Sequence, residues 1–280
     1  MTFSAPRAGR AAAILAALGF IGLSVLLKVV CWEALAFLGE RSVARGTLAG
    51  AAALGATMAV TRLLWRRQRP LADDRINLFP AGRADLRAGL TATLAGGALF
   101  ASAFGLVVLT GGLADFTLKL EGTELILWLL GVLVATILNA AWEEYTFRGW
   151  PFLVGVRALG PHAVALAVGT VFGLAHTLNP HWTVWAVLSV SLAGWLLGYT
   201  LLASRSLAAV IGLHVGWNLV QSLLTSQSLW SYTKAPEALR SGGAYGVEAS
   251  APGILVTACA AAFCVRWFVR GQRETPGTSA

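Results

Sequence analysis

The chain predicts an all-α, polytopic integral membrane protein: a bundle of about eight transmembrane helices forming a single membrane-embedded domain over residues 1–280. Three observations predict it. Of its 280 residues, 57% are hydrophobic and only 12% charged, against about 25% charged in a soluble domain. Apolar segments recur at roughly the 20-residue length that a bilayer requires. The basic residues gather at the ends of those segments, as topology-setting residues do. No polar stretch is long enough to fold separately.

The first segment, Ala11–Leu38, follows Arg7 and Arg10 and superficially resembles a signal peptide. No small-residue cleavage site follows it; Lys28, Trp32 and Glu33 do, so it reads as an uncleaved and irregular first span. Thr47–Trp65, Ala88–Thr110 and Leu125–Phe147 are the next three. A turn at Ala158-Leu159-Gly160-Pro161 then leads into His162–Leu178, with a kink expected at Gly149-Trp150-Pro151 where proline removes a helix hydrogen bond. Trp182–Ala203, Leu207–Leu224 and Gly253–Val269 complete the set.

An even number of spans puts both termini on one side. Arg7, Arg10, the Arg66–Arg87 loop, Arg148, Arg157, Arg205, Arg266, Arg270 and Arg273 then share that side. Fewer basic residues (Arg41, Arg45, Lys119, Lys234 and Arg240) fall opposite, so both termini are expected in the cytosol of a multi-pass cell-membrane protein. The formal charge of +8 thus belongs to span ends and anionic headgroups, and no nucleic-acid partner is expected. Cys31, Cys259 and Cys264 form no metal-spaced pair and no disulfide framework; they read as small packing residues.

Gly169-x-x-x-Gly173, Gly194-x-x-x-Gly198 and Gly212-x-x-x-Gly216 place small residues on three successive spans. Such spacing lets membrane helices approach closely. Spans five to seven are therefore expected to form the tight inner bundle.

Polar constellations inside these apolar helices carry the chemistry. Glu143 and Glu144 stand side by side near the end of span four, Phe172-x-x-x-His176 ends span five, and His214-x-x-x-Asn218 lies in span seven. Ionisable groups at membrane depth are expensive and usually functional. Glu144 and Arg148 are i,i+4 in the favourable orientation and read as a helix-end ion pair. The i+3 and i+4 neighbours of Glu143 are Thr146 and Phe147, which makes Glu143 the better candidate for a general base.

Glu143 precedes Gly160 by seventeen residues and His176 follows it by sixteen. Arms of equal rise would bring the two to one depth within about a turn (~5 Å). His214 and Asn218 share a helical face, His214 about 12 Å inside the membrane at ~1.5 Å per residue. Phe172 reads as the packing residue that fixes the His176 imidazole. His162 and His181, at span ends, read as ordinary. An acid, two histidines and an amide within one apolar bundle point to hydrolysis inside the membrane. No His-Glu-x-x-His is present, nor a Gly-x-Ser-Gly nucleophile, and Gly112-Leu113-Ala114-Asp115 is not a Gly-x-Gly-Asp motif.

Glu143-Glu144-x-x-x-Arg148, Phe172-x-x-x-His176 and His214-x-x-x-Asn218, in this order on separate spans, resemble the CPBP family. These are the CAAX proteases and bacteriocin-processing (Abi) proteins, including the type II CAAX prenyl endopeptidases. The resemblance covers residues 125–224. It implies an eight-helix intramembrane endopeptidase opening toward the cytosol, with Glu143 as general base and His176 positioning the water. It further implies that His214 and Asn218 stabilise the oxyanion, while Glu144 and Arg148 support the site.

Family members are often labelled metalloproteases, and Glu143, His176 and His214 could supply three ligands to Zn2+. A reading with no required cofactor is preferred, because asparagine is an unusual zinc ligand and suits an oxyanion. The alternatives are a non-catalytic membrane scaffold or immunity-type protein of the same family, and a small-ion transporter using Glu143 and Glu144 as a proton relay. No paired inverted repeats support the transporter. The Ala/Arg/Gly-rich composition looks bacterial, and bacteria generally lack prenylated CAAX proteins. A peptide or membrane-protein substrate is therefore expected over a lipidated tail.

Overall fold

The structure, a computed structural model, describes residues 7–38, 43–68 and 76–274. Arg41, the stretch 69–75 of the Arg66–Arg87 loop and the last residues of the tail lie outside them. Among the described residues, eight helices are long and apolar enough to cross a membrane, so the protein is an all-α polytopic membrane protein. The helices are α1 (Arg7–Ala34), α2 (Val43–Gln68), α3 (Arg83–Leu109), α4 (Gly122–Arg148), α5 (Trp150–Leu159) and α6 (Pro161–Ala175). They continue with α7 (Val184–Ser204), α8 (Leu207–Thr225), the short α9 (Ala238–Ser241) and α10 (Ala251–Glu274). Leu94, Leu109, Val184 and Phe263 are all more than two-thirds exposed, the outward apolar surface expected of a chain solvated by lipid.

Local sequence sets the breaks. Gly149 separates α4 from α5: a Cβ there would collide with the Tyr145 carbonyl, and Trp150-Pro151 opens α5 where proline needs no helical donor. The fourth span therefore runs as two helices, with the interruption where the kink was expected. Thr183 caps α7 by accepting from the Ala186 N–H at 3.1 Å, and Ser206 caps α8 through Ala209 N–H at 3.4 Å. Between α7 and α8, Arg205 adopts a left-handed conformation (φ 57°) that makes the turn tight.

The chain divides into two compact units. The first comprises residues up to Pro80 and Glu121–Val164. Here α1 packs on α2 and α5, and α2 packs on α4. Gly50 of α2 admits Leu138 of α4, and Phe20 meets Trp150 at 5.7 Å between ring centroids. The Tyr145 hydroxyl donates to the Leu78 carbonyl at 3.0 Å, which ties the segment before α3 to α4.

The second unit comprises Ala81–Leu120 and the residues from Ala165 onward. Gly169 of α6 and Gly194 of α7 lie backbone to backbone, and Gly173 faces Ser191. The glycines of α8 do not join this contact. Gly212 and Gly216 pack on α3, where added Cβ atoms would strike the Gly89 and Thr93 carbonyls. Span three thus belongs to the tight packing expected of spans five to seven alone; its own Gly89, Gly96 and Gly97 are the matching small residues. Phe100, Ala103, Val107, Leu113 and Val247 form a buried core.

Two strands, which the apolar-span reading did not anticipate, complete this unit. β1 (Leu113–Leu118) follows α3 and β2 (Trp230–Lys234) follows α8; they pair antiparallel, Leu113 opposite Lys234 and Leu118 opposite Trp230. A bulge lies between Ala114 and Thr117. It contains Asp115 at φ 57°, whose carboxylate accepts from the Thr233 hydroxyl at 2.7 Å, a structural use for that acid.

Candidate active site

The acid pair belongs to the first unit. It sits near the C-terminal end of α4, whose residues Ala140–Arg148 are nearly all buried. Glu144 and Arg148 are both 0% exposed, and Arg148 Nη1 lies 3.2 Å from Glu144 Oε1. The i,i+4 spacing on one helical face produces this pair, and its complete burial makes it a structural commitment rather than a surface decoration. Glu143, pointing elsewhere around the helix, is half-buried.

Lys28 is a neighbour that sequence reasoning missed. Its Nζ stands 3.8 Å over the ring of Trp142, and its charge interacts with that of Glu143. The signal in the sequence is a lysine inside an otherwise apolar span.

The histidines belong to the second unit. Phe172 of α6 is buried at 3% exposure and packs against two imidazoles. Its ring centroid is 4.6 Å from that of His176, tilted by 58°, and 6.1 Å from that of His214, edge-on at 86°. α6 ends at Ala175, so His176 opens a 3-10 turn, His176–Leu178, instead of continuing the helix. That tighter turn leaves its Nδ1 2.8 Å from the Phe172 carbonyl oxygen. A carbonyl can only accept, so Nδ1 carries the hydrogen of this bond, and Nε2 is the ring nitrogen left for another partner. His214, on α8, is 8% exposed, and Asn218 lies one turn further along the helix, half-buried. His162 lies in the first turn of α6 and His181 is exposed with φ 60°.

The structure thus brings Phe172, His176 and His214 into one cluster with Asn218 on the same helix as His214, and it joins Glu144 to Arg148. Among the described residues no group of three or more His, Cys, Asp or Glu side chains is placed to hold a metal ion. Of the three ligands expected for a zinc ion, His176 and His214 lie in the second unit and Glu143 in the first. In chemical terms the histidine cluster offers an oriented acceptor nitrogen, a second imidazole and a carboxamide inside an apolar helix pair. Those are groups that hold water and stabilise an oxyanion.

No curated protein and no solved structure matches the chain. Residues 125–220, which run from α4 into α8 and hold Glu143, Glu144, Arg148, Phe172, His176, His214 and Asn218, match the model of the Rce1-like family, described as type II CAAX prenyl endopeptidase Rce1-like.

Proposed function

We propose that the protein is an intramembrane endopeptidase that hydrolyses a peptide bond with glutamate-activated water. The observation that supports the reading is the packing of both His176 and His214 against the Phe172 ring, with the His176 Nδ1 bonded to the Phe172 carbonyl. Glu143 is the general base: it takes a proton from water as the oxygen adds to the carbonyl carbon. His176 Nε2 positions that water. His214 and Asn218 donate to the oxyanion, which collapses as the C–N bond breaks and the proton passes to the leaving amine. Glu144 and Arg148 hold the end of α4 in place.

The site opens toward the cytosol, both termini are cytosolic, and the substrate is a peptide or membrane protein. The reaction runs without a metal; chelation that abolishes cleavage, with restoration by zinc, would refute that part alone. Cleavage of a membrane substrate is compared among wild type, Glu143→Ala, His176→Ala and His214→Ala. Each variant is expected to lose activity while remaining folded. Unchanged cleavage in all three would end the peptidase reading and leave the scaffold alternative.

A further inference from the structure

α8 carries a polar stripe longer than the proposed site uses. At 100° per residue, His214, Asn218, Gln221 and Thr225 fall within an arc of about 60° on one face. Polar residues at the end of a span are commonplace; here, however, the opposite face at the same level is Leu219 and Leu223. At its far end the stripe meets a cavity of about 320 Å³, lined by Gln221 and Thr225 of α8, Tyr232 and Lys234 of β2, and by Ser241 and His181. At about 30 Å³ per molecule, that volume holds about ten waters.

The cavity is held open by hydrogen bonds in its wall. The Tyr232 hydroxyl donates to the Thr225 carbonyl at 2.8 Å, Ser241 donates to the Ala235 carbonyl at 2.8 Å, and Lys234 Nζ donates to the Gly243 carbonyl at 3.0 Å. Burial pushes the Lys234 ammonium below its usual range and the Tyr232 hydroxyl above its own. No carboxylate lines the cavity.

We infer that this cavity and the polar face of α8 form a water inlet, running from the β1–β2 side to His214 and Asn218. The inference rests on the peptidase reading: each hydrolysis consumes one water, and a substrate filling the cytosolic opening leaves the opposite, β1–β2 side as the route by which water enters. Gln221 and Thr225 act by conducting water, not by touching the substrate.

Single cysteines at Gln221, Thr225 and, as control, Leu223 test this in a protein whose Cys31, Cys259 and Cys264 are serine. A membrane-impermeant methanethiosulfonate is applied to proteoliposomes from the β1–β2 side. Labelling is expected at 221 and 225 and absent at 223. The double variant Gln221→Leu, Thr225→Val is expected to lower turnover about tenfold with thermal stability and KM held. Inert cysteines at 221 and 225, or unchanged turnover in the double variant, would overturn the inlet while the peptidase reading stands. Cleavage that survives Glu143→Ala would overturn the peptidase reading, and the inlet's purpose with it.

Discussion

Arg148→Met removes one partner of an ion pair whose members are both 0% exposed, their closest atoms 3.2 Å apart. Methionine retains an apolar stem, so the chief loss is the charge that compensates Glu144. Removing one member of a buried pair costs about 3–5 kcal/mol, because the survivor is left as an uncompensated charge, whereas replacing both members by apolar groups is often neutral. Glu144→Leu is expected to lose a similar amount. The double variant Glu144→Leu, Arg148→Met is then expected to be no less stable than either single variant. Reversible unfolding by SDS titration in mixed micelles measures all four corners of the cycle. A double variant as unstable as the sum of the two singles would show that the residues act independently, and the assignment of this pair to holding α4 would fall. Cleavage by a stable double variant reports separately whether Glu144 takes part in the chemistry.

Asn218→Ala removes one donor from the proposed oxyanion site and is expected to lower kcat by about 10²–10³ with little change in KM; steady-state kinetics on a membrane substrate reads the split. Phe172→Leu keeps apolar bulk but removes the ring that packs on both His176 and His214, and misplacement of reacting groups by about 1 Å can cost ~10²-fold. A turnover matching wild type would show that the ring only fills space. Gly194→Val places a side chain against the Gly169 backbone, and the expected loss of thermal stability should exceed that of Gly55→Val, where a Cβ meets nothing within 4 Å. Lys28→Met is expected to be better tolerated beside Glu143→Gln than beside the native acid, since the lysine then loses its charge partner; equal effects in both backgrounds would dissociate the two.

The spans and the close packing of the glycine-bearing fifth and sixth spans were legible because each follows from local pattern: hydropathy over about 20 residues and small residues four apart. The β1–β2 pairing was not legible. Leu113 and Lys234 are far apart in sequence, and strands of this length have no signal strong enough to stand out beside helical spans. Gly212 and Gly216 showed that α8 packs closely but not on what; the partner, α3, offers Gly89, Gly96 and Gly97 at a spacing that is not four. Hydropathy continues through His176 and predicts a helix there, whereas α6 ends one residue earlier and the chain tightens to a 3-10 turn at His176. That change matters for chemistry, since it sets which imidazole nitrogen is available.

Lys28 shows why composition alone reads such a residue poorly. A lysine at the centre of a membrane helix costs about 2.5–3.5 kcal/mol on insertion scales, which in sequence argues only that the span is imperfect. A desolvated cation over an aromatic face recovers about 2 kcal/mol, and Lys28 has Trp142 at 3.8 Å with the charge of Glu143 nearby. The cation and the acid each make the other's presence in the apolar layer less costly. Neither residue's position is explicable by itself, and pairing them requires α1 to run antiparallel to the α4–α5 segment, which sets Phe20 against Trp150 of α5 and Lys28 against Trp142 of α4. The acid that the sequence singles out on α4 is thus held in an electrostatic setting supplied by α1, the span that the motifs leave unmentioned.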